Sequence, residues 1–190
     1  MTGNSIGSRA IGAASLFGAS LVLCSSAAWG QPSEAKPFAT DGRAEFVREI
    51  EVLTTAEVAP LMPDAALEER HIGKRVRWAG GVYGIDGPCL TILFARSGDY
   101  GEPSWSPQPT YQTFVACGSG VYDKELVEAH TNVTIIGEVT GKQYIGMGGG
   151  GSDGPTIRIE KLYRWSDCLA GDDSPVCKQG FLIAGPAADD

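Results

Sequence analysis

The residues with the most chemistry to offer are five cysteines, at positions 24, 89, 117, 168 and 177. Thiolates bind zinc when two of them lie two to four residues apart and a second pair or histidines follow. No cysteine pair here has that spacing, and the histidines, His71 and His130, stand alone. A nucleophile–histidine–acid arrangement has no support either, since neither histidine has a serine or cysteine context. No catalytic, cofactor-binding or metal-ligating residue is therefore expected. The chemistry left to the cysteines is oxidative pairing.

Three other stretches carry motif-like patterns. Gly146 to Gly154 reads Gly-Met-Gly-Gly-Gly-Gly-Ser-Asp-Gly. As a phosphate loop it lacks the following Gly-Lys-Ser/Thr and precedes a strand, not a helix. Gly148 to Asp153 matches one calcium-binding turn, but that motif works in stacked copies, and Pro155 replaces the large apolar residue. A flexible hairpin loop is expected. Asp172-Asp173 reads as a solvated turn between two cysteines. Asn132-Val133-Thr134 has the spacing of a glycosylation sequon, but it opens a strand in a chain that reads as a bacterial export product.

Export is written at the N-terminus. Arg9 supplies a positive start, Ala10 to Leu23 an apolar stretch, and Ser25 to Gly30 a small-residue end, with cleavage expected between Gly30 and Gln31. Leu21-Val22-Leu23-Cys24 sits where a bacterial lipoprotein would place its acylated cysteine, although a small residue normally precedes that cysteine. Soluble periplasmic and lipid-anchored forms both stay open, Gln31 to Thr40 being the spacer in the second. Whether Cys24 is removed or acylated, four cysteines remain, and an even number in an exported chain implies disulfides.

Composition is that of a folded domain: 190 residues, 43% hydrophobic and 20% charged. The net charge is −8, and residues 1–30 hold one arginine and no acid, so the exported part is near −9. Phosphate backbones require clustered Lys and Arg, so nucleic acid is not an expected partner.

The elements that must position the cysteines are mostly strands. A helix is expected over Arg43 to Leu53, capped by Asp41, with Phe46, Val47, Ile50 and Leu53 on one side, covering one end of the core. An ordered connection follows, Thr54 to His71. Five strands are expected, at 74–85, 89–96, 110–117, 132–141 and 156–165. Ser97 to Pro109 is read as a loop. In the first strand Val76, Trp78, Gly80 and Val82 share a face, and Gly80-Gly81 marks a bulge, bend or close backbone approach. In the last, Ile157, Ile159, Tyr163 and Trp165 alternate against Arg158, Glu160 and Arg164. A short helix after Asp123 separates the third and fourth strands. This order implies a mainly β fold: a small five-stranded OB-like barrel with one short helix between strands 3 and 4 and an N-terminal helix. A β-sandwich or an open meander is the alternative. Trp78 and Trp165 are expected in the core, and aromatics on the second and third strands would offer a binding face.

Register then predicts the cross-links. If the second and third strands pair with Arg96 opposite Thr110, Cys89 falls opposite Cys117, close enough to bridge. Cys168 and Cys177 flank Leu169 to Val176, the shortest loop to close.

Four segments also resemble the Slp family of starvation-inducible outer-membrane lipoproteins. Lys74 to Val82 is similar to the family's "VRWGG" opening. Gly118 to Glu125 is similar to its "GFLDP" turn, Val133 to Gly141 to its "VTVVGEVTG" strand, and Leu162-Tyr163-Arg164-Trp165 to its closing "LHLW". The resemblance covers about residues 73–165. The family's tyrosine- and proline-rich segment is replaced here by the glycine run, and the cysteines and the tail are not part of its pattern. The resemblance implies an exported, non-enzymatic cell-envelope protein, periplasmic or held at the outer membrane by a lipid on Cys24, with a structural or stress-related role. An OB-like binding module for a glycan or small envelope ligand is the alternative, and the ligand is unknown. The domains implied are a signal peptide (1–30), a linker and helical segment (31–72), the β domain (73–165) and a disulfide-closed tail (166–190).

Overall fold

The computed structural model describes residues 40–105, 112–166 and 179–186. The signal segment with Cys24, Gly30 and Gln31, and the Cys168 and Cys177 pair, lie outside the described residues. Seven strands follow a helix, α1 (Thr40–Thr55), and two 3-10 turns (Ala65–Leu67 and Glu69–His71). They are β1 (Arg75–Asp86), β2 (Cys89–Ser97), β3 (Pro103–Ser104), β4 (Thr113–Cys117), β5 (Asn132–Met147), β6 (Gly150–Trp165) and β7 (Gly180–Leu182). A single helical turn, α2 (Glu125–Glu128), precedes β5.

Five of the strands close on themselves. The hydrogen-bonded order is β1-β5-β6-β4-β2, and β2 pairs again with β1. Only the β4–β6 contact in this ring is parallel. The mainly β class is as expected, and the ring, with its helical turn between the third and fourth long strands, is consistent with an OB-like fold.

Closure depends on β1 serving two partners. Its first half pairs with β5 (Arg75 to Gly81) and its second with β2 (Ala79 to Asp86). The halves overlap at Ala79, Gly80 and Gly81. A Cβ at Gly80 would overlap the Leu93 carbonyl oxygen and lie 2.7 Å from Ile92 Cγ2. Of the three options the sequence left open at Gly80, this is the close backbone approach. A bulge follows between Val82 and Gly84.

The interior is filled. Val76, Trp78 and Val82 of β1 meet Leu90, Ile92 and Phe94 of β2, Phe114 of β4, Val133, Ile135 and Val139 of β5, and Ile157 and Leu162 of β6. Trp78 stands edge-on to Phe94 and Phe114, with ring centroids 6.3 and 5.1 Å away. Tyr122 and Leu126 and the 3-10 residue Ala66 join this core from outside the strands. Each large apolar side chain so buried contributes roughly 1.5–3 kcal/mol relative to exposure.

Several expectations need correction. The helix begins at Thr40, so Asp41 lies inside it and does not precede it as a cap. It packs on the outside of the ring, not over one end: Ile50 and Leu53 cover Ile136 and Tyr163, with Phe46, Trp165 and Phe181 alongside. Val47, read as part of the apolar side, is 56% exposed. The reason is that β5 is buried on both faces, so its outer face needs a cover.

The alternation read for the last strand is also broken. Ile136 pairs with Lys161 and Gly137 with Ile159, leaving Glu160 as an extra residue. Past this bulge the faces swap. Ile157, Ile159 and Leu162 serve the interior, whereas Tyr163 and Trp165 join the outer cluster under α1. Arg164 shares the inward face with Leu162 and is 1% exposed.

The glycine run is mostly strand. β5 extends to Met147 and β6 begins at Gly150, so only Gly148 and Gly149 make the turn. Gly149 has φ +104, which favours glycine. Within the segment read as a loop, Pro103–Ser104 pairs with Ser97 and Arg96. The tail, too, is partly strand, β7 adding to β6 through Leu162 and Leu182.

Candidate functional site

Cys89 and Cys117 face each other across β2 and β4 and are joined by a disulfide, with Cα atoms 4.0 Å apart. The whole β2–β4 ladder holds the register inferred from the sequence, from Cys89 opposite Cys117 to Leu93 opposite Thr113. The bond closes the second end of a segment already closed by strand pairing. Its place is structural: it pins the strand that β6 must join in parallel.

The remaining candidate residues do not converge. His71 ends the second 3-10 turn. His130 follows α2 with φ 48. Among the described residues no group of three or more His, Cys, Asp or Glu is placed to hold a metal ion. Asp123 accepts a hydrogen bond from the Glu125 amide at 3.0 Å, so it serves the helical turn. The aromatics of the second and third long strands, Phe94 and Phe114, point into the core with Trp78. The exposed aromatics Tyr83, Tyr100, Trp105 and Tyr144 lie off those two strands.

Two concavities among the described residues are backed by aromatic side chains. One, of about 430 Å³, lies between α2 and residues 182–186, and is lined by Tyr122, Leu126 and Leu182 with Asp123, Glu125 and Ile183. Burial pushes the Tyr122 phenol up from its ordinary value. The other, of about 480 Å³, is a notch between β1 and the end of β2. β2 stops pairing with β1 at Ala95, opposite Ala79, so the stretch of β1 before Ala79 lacks a β2 neighbour. The connection 58–62 runs along that gap instead. The Ala59 amide donates to the Arg75 carbonyl at 2.8 Å, and Trp78 Nε1 donates to the Leu61 carbonyl at 2.7 Å.

Two arginines line the notch, and neither was a candidate site residue in the sequence. Arg77 donates through Nη1 to the Leu53 and Thr54 carbonyls, the latter at 3.1 Å. These are orphan carbonyls of the α1 C-terminus, where a cation is favoured and the helix itself offers no basic residue. Arg96 is exposed, and its guanidinium makes no hydrogen bond or ion pair among the described residues. In the sequence it reads only as the polar end of an apolar strand.

On the other side of α1, Trp165 Nε1 donates to Thr134 Oγ1 at 2.9 Å, and Thr134 Oγ1 donates to the Gly101 carbonyl at 2.5 Å. Tyr163 lies beneath the helix. Burial first, and then the neighbouring Glu49 carboxylate, push its phenol well above the ordinary range.

A small, solidly packed, mainly β domain with a strand-to-strand disulfide is a protein built for an oxidising compartment. The chain belongs to the Slp family: the model for the outer membrane lipoprotein Slp family matches residues 47–179. The match begins in α1 and runs past Trp165, so it takes in the outer helix that the sequence resemblance left out. It places the chain in the exported cell envelope, periplasmic or anchored to the outer membrane. No curated protein and no solved structure matches the chain.

Proposed function

We propose that the chain is a non-enzymatic cell-envelope lipoprotein. In this reading Cys24 carries the lipid, the Gln31 to Thr40 segment is the tether, and the disulfide-bonded ring is the working domain. The family match over residues 47–179 is the observation that carries it. The filled interior supports it: Trp78, Phe94, Phe114 and Ile135 occupy the space that a channel or deep cleft would need. A domain of this kind acts through its surface, as a structural element of the envelope.

The test is intact mass of the protein in separated membrane and periplasmic fractions. The expected result is a diacylglyceryl adduct on Cys24 in the outer-membrane fraction. A soluble protein beginning at Gln31 would overturn the anchor.

A further inference from the structure

We propose that the notch beside Trp78 is a binding site for an oxyanion carried on an apolar body, the chemistry of an anionic lipid headgroup with its chain. The site would use Arg96 as its anion receptor. The site is the same whether Cys24 is acylated or removed.

The charge at Arg96 is the first observation. This is an acidic chain, and its other exposed strand arginines are engaged: Arg75 meets Glu160 at 2.8 Å and Arg158 meets Glu138 at 2.5 Å. Arg70 meets Glu68 at 2.9 Å. Arg96 extends from the end of β2 with no such partner among the described residues, over a cavity. A free guanidinium presents five donors in a planar fork that suits carboxylate or phosphate oxygens two at a time.

The walls are the second. The lining beside Arg96 is Val58, Leu61, Met62, Trp78 and Phe94. Met62 is 37% exposed, and a thioether side chain adapts its shape to an alkyl chain. The two aromatics form a rigid back wall, held by the Trp78–Leu61 hydrogen bond and the edge-on Trp78–Phe94 contact.

The second cation is the third. Arg77 opens onto the same notch, and its Nη1 is spent on α1 carbonyls while its charge remains. Two guanidinium charges therefore flank one apolar-backed space, and no acidic residue among the described ones lines it. A volume of about 480 Å³ accommodates an anionic group with several methylenes. Inorganic phosphate would satisfy the arginine but leave the apolar wall uncovered. A neutral amphiphile would do the reverse.

The experiment uses the chain from Gln31 onward, which contains both hydrophobic clusters, uniformly labelled with nitrogen-15. The Trp78 indole N–H is the reporter, because its acceptor, Leu61, lines the notch. Dodecyl phosphate below its micellar concentration is expected to shift this resonance saturably. Inorganic phosphate should bind at least tenfold more weakly, and dodecyl maltoside should leave the resonance in place. Arg96→Gln, on an exposed strand end, should retain the dispersed spectrum and weaken dodecyl phosphate roughly tenfold or more. Arg96→Lys should recover part of that loss. Equal affinity in wild type and Arg96→Gln would overturn the receptor. Equal affinity for dodecyl phosphate and inorganic phosphate would overturn the apolar half and leave a bare oxyanion site. No shift with any probe would overturn the proposal whole.

Discussion

Gly80 of β1 sits directly against the Leu93 carbonyl of β2, with no room for a side-chain atom between them. The ring closes at this contact, because Gly80 pairs with Val133 on one side and Phe94 on the other. Adding a methyl group must push β1 and β2 apart. Gly80→Ala is expected to lower stability by about 1–3 kcal/mol, the usual cost of overpacking. Gly148→Ala, where an added Cβ meets nothing within 4 Å, should be nearly neutral. Urea denaturation of the two variants side by side checks the contrast.

The Cys89–Cys117 bond spans 28 residues of chain. By loop entropy alone, its removal should cost about 3.6 kcal/mol. Denaturation midpoints of the Cys89→Ala/Cys117→Ala double variant measure this against the oxidised wild type. Non-reducing peptide mapping gives an independent check: Cys89 linked to Cys168 or Cys177 would contradict the structure.

Arg77 ties α1 to the ring by donating to the Leu53 and Thr54 carbonyls. Arg77→Met keeps much of the aliphatic packing and removes the donors. It should cost about 1–2 kcal/mol. Hydrogen exchange should localise the effect, with faster exchange in α1 and little change in β2 and β4. Uniform acceleration across the ring would show that the arginine does something other than dock the helix.

Alkaline pH should destabilise the fold through Tyr163. Its phenol is raised in the folded state by burial and by Glu49. The unfolded chain therefore releases that proton first, near pH 10, and the folded chain holds more protons above it. Stability is complete below pH 10 and falls as pH rises further, by up to about 1.4 kcal/mol per unit. Tyr163→Phe should show a shallower decline between pH 10 and 11.5. Absorbance titration at the tyrosinate band should show the missing late step.

Much of the fold was legible because local patterns and global architecture agree. The alternation in Arg75 to Val82 and the apolar run from Leu90 to Ala95 both read correctly in isolation. The register of β2 on β4 followed from one pairing, since strand periodicity leaves no freedom once a single pair is set. The glycine run misled because glycine has no side chain to show alternation, so a strand made of it looks like a loop. The notch could not be read at all. It exists because β2 parts from β1 at Ala95, and the residues facing it, Arg77 and Arg96, are ordinary strand arginines on their own.

By itself the sequence determined the mainly β class, the order of the long strands, the pairing of Cys89 with Cys117 and membership of an exported envelope family, because all four depend on short-range spacing or on quoted motifs. The tertiary structure decided which face of β6 points inward, where α1 rests and which strand arginine, among the described residues, is left without a side-chain partner. Those three depend on one extra residue, Glu160, and on β2 parting from β1 at Ala95 while both strands run on. Such offsets change every contact beyond them, and no local pattern of residue types records them.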